Sequence, residues 1–349
     1  MSHDTDDLQI SDPGLLSDFR HLAHRARSIA RQLHAAYGTE RKEIKFDFID
    51  AGEFNAFAGA DEGFYVVELN KAVPLFSIIL FYRLLSDPDV LPHLDASGDF
   101  ASSFSLPFVI DPAEFARRSE WEIKANEIRA FAAGTIADFC STFVVCHEFG
   151  HILYGHVEGM RFYYGDGGLA ELVSREASFG VETARRRAWE HDADRFSAAL
   201  LIQFVDELVA DRMKHPRTKL VFTDPEGFHT EHTLAIAVAS LFAFFVYVQG
   251  MRTKLDRLSS HPHPYVRATY LKHMLVQTAR SRGRLDLRVF RQLLDRRLEE
   301  FMLVLERVGL LDTRTYTRAY MRQVDEELNH LDAISHEHRE SCARWRWIS

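Results

Sequence analysis

Residues 233–251, TLAIAVASLFAFFVYVQGM, form a run of 19 residues with no ionisable group other than Tyr247, close to the roughly 20 that an α-helix needs to cross a bilayer. A chain holding such a run folds in one of two ways. Either the segment spans a membrane, or it is a helix buried on every face, with other helices around it. Its alanines, Ser240 and Gln249 suit either environment. The choice therefore falls to the chemistry-bearing residues on its two sides.

The chain of 349 residues is long enough to enclose that helix, and its length fits one large domain with insertions as well as two domains. Apolar residues at 46% and charged residues at 27% lie in the ordinary globular range, which argues against a collagenous, low-complexity or wholly disordered chain. Lys plus Arg number 42 against 51 Asp plus Glu, a net charge of −9. No net positive field exists to gather phosphates, so nucleic acid is not an expected partner. Cys140, Cys146 and Cys342 are an odd set without framework spacing, which favours free thiols and a reducing compartment. The opening MSHDTDDLQISDPG is acidic and lacks the basic and apolar regions of a secretory signal. A cytoplasmic location is expected.

Residues 13–37 read as an amphipathic helix opened by Pro13 and ended at Gly38. Ile44, Phe46 and Phe48 alternate, and 54–58 and 64–69 look like two more short strands around GADEG, which together predict a small antiparallel sheet. A helix at about 71–86 follows, then a stretch rich in Asp, Ser and Pro that reads as a loop or insertion over about 86–120. From about 121 the pattern is almost entirely helical, with breaks near 164–168, 213–230, 259–264 and 281–284.

Within the apolar helical pattern of 136–153 stands His147-Glu148-Phe149-Gly150-His151, an HExxH motif. Positions 147 and 151 lie about 40° apart around a helix and one turn along it, so both imidazoles can meet one ion. Glu148 sits about 60° beyond His151 and can reach a metal-bound water without being a ligand. Imidazole suits zinc, and a catalytic zinc needs only three protein ligands plus water. A third histidine at the end of HExxHxxGxxH is absent, because Tyr154 and Val157 hold the last Gly and His positions.

Two further blocks bear on the same chemistry. Glu190-His191-Asp192-Ala193-Asp194 opens the next apolar helix with Glu190 and Asp194 on one face. Glu190 can supply a third ligand, and Asp194 can accept the outer N–H of a ligand histidine; acidic residues also simply favour helix starts. Ser260-His261-Pro262-His263-Pro264-Tyr265-Val266-Arg267 places a histidine and an arginine across a loop that enters a helix, where they could hold an oxyanion or merely build the helix entry. His156, about 140° around the helix from His151 and so not expected to share the metal, reads as a packing residue or as an outer partner of a ligand, Cys146 as a buried structural thiol, and His336 and His338 as part of a solvated helix end.

Together these blocks resemble the gluzincin metallopeptidases of the heat-shock endopeptidase and prenyl-protein protease group. Four motifs match in order: Asn55-Ala56-Phe57-Ala58, HExxH, ExxAD at 190–194 and HPxxxxR at 261–267. The resemblance covers about 44–270; the layout is also similar to the soluble phage-exclusion proteases. It implies one zinc per chain held by His147, His151 and Glu190, with Glu148 as general base and Asp194 as the partner of a ligand histidine. His261 and Arg267 would stabilise the transition state, and the strand at 55–58 would lie beside the cleft, where an edge can pair with an extended substrate.

If that site is right, a single crossing by 233–251 would put Glu190 and His261 on opposite sides of a bilayer, so the segment must be a buried helix and no membrane partner is expected. The expected architecture is α+β, a helix-dominated zincin-like core with a small antiparallel sheet. Its divisions are an N-terminal helical segment (1–42), a metallopeptidase domain (43–280) and a C-terminal helical extension (281–349). The expected activity is hydrolysis of a protein or peptide substrate, and the unmatched insertion and tail leave room for an activating partner. The alternative is a zinc-stabilised regulatory or interaction protein without turnover.

Overall fold

The computed structural model describes residues 13–37, 42–94, 126–165, 168–170, 181–211, 214–248, 262–281, 283, 285–312, 314 and 317–347. The elements run α1 (Pro13–Tyr37), β1 (Glu43–Ile49), β2 (Ala56–Ala60), β3 (Phe64–Asn70), α2 (Ala72–Leu85), α3 (Glu127–Leu153), α4 (His156–Tyr164), β4 (Gly168–Ala170), α5 (Val181–Asp211), α6 (Pro216–Val221), α7 (His229–Val248), α8 (Pro264–Ser281), α9 (Leu287–Arg307) and α10 (Arg318–Arg339). The architecture is α+β and helix-dominated. One apolar core runs from Phe19 on α1 to Ile334 on α10.

The sheet is mixed, which corrects the expected antiparallel one. Its order is β1-β3-β2-β4: β2 pairs antiparallel with β3 and with β4, but β1 pairs parallel with β3, Glu43 opposite Phe64 through Ile49 opposite Asn70. Alternating Ile44, Phe46 and Phe48 identify a strand and its buried face, but not its neighbour. After β1 the chain passes to the far side of β3 before the β2–β3 hairpin forms, and the Lys71 amide closes the crossing by donating to the Ile49 carbonyl at 2.9 Å. The segment 55–58 is also not an open edge, because Phe57, Ala58 and Gly59 face Ala170, Leu169 and Gly168 of β4.

Asn126 caps α3, its side chain accepting the Arg129 amide at 2.8 Å. The guanidinium of Arg129, itself buried, donates to the carbonyls of Leu85, Asp87, Val90, Leu91 and Leu94, and so pins the turns after α2 against α3. Those turns are the first part of the expected insertion; 95–125 lies outside the described residues.

α7 contains the apolar run as far as Val248 and is buried continuously from 231 through 247. It packs on α9 and α8 and touches α5 and α3. Its apolar surface all round has a neighbour on every side, as a core helix requires. By length and composition α3 and α7 are both apolar enough to cross a membrane.

Candidate metal centre

α3 and α5 meet at Gly150 and Ala193. A side-chain carbon built at Gly150 would stand 2.9 Å from Ala193 Cα and 3.1 Å from its carbonyl oxygen, so only glycine permits this approach. The close crossing brings the HExxH turn of α3 against Glu190 and Asp194. Those two residues lie nine and thirteen positions into α5, not at its start, which corrects the expectation that they open a helix. A preference of carboxylates for helix N-termini does not account for them, and both are buried.

His147, His151 and Glu190 form a buried group that could hold a metal ion. His147 Nε2 lies 3.0 Å from His151 Nε2 and 3.1 Å from Glu190 Oε2, and His151 Nε2 lies 3.6 Å from Glu190 Oε1. Four tetrahedral ligands at zinc-like bond lengths of about 2.0–2.1 Å stand about 3.3 Å apart, so the spacing fits. The protonation pattern fits as well. His147 Nδ1–H donates to Asp194 Oδ1 at 2.8 Å, which leaves the Nε2 lone pair of His147 facing a carboxylate oxygen. Two acceptors face each other in a place His147 shares with no solvent, at 0% exposure. A cation between them, or an added proton, removes that conflict.

The outer nitrogens are held from behind. Arg267 Nε donates to Asp194 Oδ2 at 2.9 Å and Nη2 to Oδ1 at 2.7 Å, and the guanidinium carbon stacks 4.4 Å from the Phe245 ring of α7. His151 Nδ1 lies 3.0 Å from His156 Nδ1. With His156 accepting, both ligand imidazoles present lone pairs inward. His156 is sandwiched between Tyr154 and Trp189, ring centroids 5.8 and 5.3 Å away. Burial, then the neighbouring His151, pushes its pKa well below the ordinary histidine range.

His156 reaches His151 because α3 ends at Leu153. Gly155, at φ 76°, takes the left-handed turn that closes the helix, and α4 starts afresh. Of the two expected roles, packing or outer partner, His156 fills the second as well as the first; the 140° offset assumes one continuous helix, and the glycine in Tyr154-Gly155-His156 marks the break.

The other expected residues divide. Glu148 is buried on α3 beside His147. Arg267 is at the site, but two of its donors are engaged by Asp194. His261 lies outside the described residues. His191 turns away to Ser335 Oγ at 3.0 Å, and His263 meets the Tyr320 hydroxyl at 3.1 Å. Cys140, Cys146 and Cys342 are free and buried. Burial pushes the Cys146 thiol up to about 12, against the weaker pull of Arg25 and His147, so it is no thiolate ligand.

Compared with protein-family models, with curated proteins and with solved structures, the chain matches none.

Proposed function

We propose that the chain is a zinc-dependent endopeptidase acting on an intracellular protein, with a zincin-like core. The observation that carries this reading is the convergence of His147, His151 and a Glu190 oxygen in one buried group, with Glu148 on the next residue of the same helix. Two imidazoles and a carboxylate are a donor set used by catalytic zinc, one ion per chain, with the fourth position left for water. A bound zinc supplies Lewis-acid polarisation of that water and of the substrate carbonyl.

The protein's own groups do the rest. Glu148 takes the proton of the attacking water and gives it to the departing amine. Asp194 holds the proton on His147 Nδ1 and so keeps Nε2 available to the metal. Arg267 fixes Asp194 and acts through it. His261 belongs to the reading by resemblance, as the donor to the developing oxyanion. A cytoplasmic location without a membrane partner is part of the same proposal.

The alternative, a zinc-stabilised regulatory or interaction protein, draws support from burial: His147, Glu148, His151 and Glu190 are each at most 4% exposed. Against it, structural zinc sites close with four protein ligands, and a group of three is found among the described residues.

Elemental analysis of the purified protein and two variants tests the metal assignment. About one zinc per chain is expected in wild type and in Glu148→Gln, with a large loss in His147→Ala. Zinc retained in full by His147→Ala overturns it.

A further inference from the structure

The turn that presents His156 to His151 is walled by a distant part of the chain. After α10 a 3-10 helix, Glu340–Trp345, brings residues 342–347 against α4 and the end of α3. Two glycines admit it. A side-chain carbon at Gly155 would stand 2.7 Å from Trp345 Cβ and 3.1 Å from the Arg346 amide nitrogen, and one at Gly159 would stand 2.7 Å from Cys342 Sγ and 3.1 Å from the Trp189 ring. The left-handed φ already asks for glycine at 155. Nothing in the backbone asks for it at 159, inside α4, where glycine weakens a helix; the seat of Cys342 and Trp189 supplies the reason.

The segment is fastened at both ends of this seat. The Trp347 amide donates to the carbonyl of Leu153, the last residue of α3, at 2.8 Å. The Trp345 ring lies against Phe162 of α4, centroids 5.4 Å apart, and the Trp347 ring against Tyr65 of β3, 5.7 Å apart.

The two rings that sandwich His156 are reached as well. Trp189 shares with Met160 and Cys342 a small apolar cluster separate from the main core, and the Arg346 guanidinium stands 5.9 Å over Tyr154. Residues 342–347 thus meet the backbone before His156, the helical turn after it and both of its stacking partners. A ring held on all these sides has one orientation, and in that orientation its Nδ1 faces His151 Nδ1 at 3.0 Å.

We propose that residues 342–347 are a positioning clasp for the metal centre: seated on Gly155 and Gly159, they hold His156 against His151 and so keep the His151 Nε2 lone pair turned toward the metal. The inference rests on the metal assignment and is independent of the peptidase reading. Coupling of this kind is reciprocal, so whatever draws the segment from its seat lowers zinc affinity, and zinc in turn holds the segment down.

Zinc affinity of the full-length protein, measured by chelator competition in wild type, Cys342→Glu, His156→Ala and the double variant, tests it. Cys342 is 1% exposed, so a carboxylate there expels the segment, whereas Cys342→Ala keeps the seat and serves as control. Cys342→Glu and His156→Ala should each weaken zinc roughly 10–100-fold, as loss of an outer partner does. The double variant should be no more than about threefold weaker than His156→Ala, because the clasp acts through that ring, and Cys342→Ala should stay within about threefold of wild type. Should Cys342→Glu fail to fold, Trp347→Ala takes its place in the same cycle with the same expectations. A lowered melting temperature with wild-type zinc affinity, no loss in His156→Ala, losses that add in the double variant, or a loss in Cys342→Ala equal to that in Cys342→Glu overturns the proposal and leaves the metal assignment standing. A wild type that binds no zinc overturns both.

Discussion

Arg267 grips both carboxylate oxygens of Asp194, at 2.9 and 2.7 Å, across 73 residues of sequence. Asp194 Oδ1 in turn accepts the Nδ1 proton of His147 at 2.8 Å, so α8, α5 and α3 are joined in one buried file that ends at a candidate metal ligand. The arginine that the motif pattern assigns to an oxyanion stands behind the candidate metal group and, through Asp194, holds the orientation of its first histidine.

Arg267→Ala leaves the Asp194 carboxylate buried without its cation. Both side chains are at most 1% exposed, and breaking such a pair costs about 3–5 kcal/mol. The variant should lose stability on that scale in urea unfolding. Loss of an outer partner should also weaken zinc binding by roughly 10–100-fold in a chelator competition. Wild-type stability and affinity together would show that the file carries no load.

Gly150→Ala keeps every proposed ligand but forces α5 away from α3 at Ala193. Zinc content should drop although no ligand has been removed. A protein that keeps its metal would mean that the helix crossing does not set the ligand geometry.

How far the sequence discloses this molecule depends on the kind of contact. The HExxH spacing is a property of one helix, so the pairing of His147 with His151 is legible directly. α2, α3 and the apolar α7 declare themselves by composition. The parallel partner of β1 does not, because alternation fixes a strand's faces and leaves its neighbours open. Nor does Arg267: its motif marks it as functional, but only the packing of α8 on α5 and α7 decides that its guanidinium turns to Asp194. His156 is legible as a packing residue or outer partner, and the glycine before it is the signal that turns it back toward His151.

A second polar pair, a buried histidine and a half-buried one, sets a pH dependence. His93 and His232 lie 5.2 Å apart, and both Nε2 atoms approach the Val221 carbonyl, at 3.4 and 3.3 Å. Burial, then Arg297 and His93, lowers His232 from 6.5 to about 3, and burial lowers His93 as well. Neutral when folded, these rings take up protons on unfolding once the pH is below about 6.5. Stability present above that pH is therefore lost as pH falls toward 3, by about 2 kcal/mol at pH 5 for His232 alone. Between pH 7 and 5, His232→Gln should lose less stability than wild type by that amount; equal losses would contradict the assignment.

The proposed cytoplasmic reading requires α7 to remain a core helix. Lysis without detergent should leave the protein in the supernatant after high-speed centrifugation. Recovery only in the membrane pellet would refute the reading, and with it a joint site built from residues on both sides of α7.

The central claim is that Glu148 beside the His147, His151 and Glu190 group drives peptide hydrolysis. The most direct measurement compares protein N-termini, proteome-wide, in cells expressing wild type or Glu148→Gln at equal levels and equal zinc content. The account predicts new termini with wild type alone, from one or a few intracellular proteins. Identical termini in the two cultures, or the same new termini with both, would contradict it.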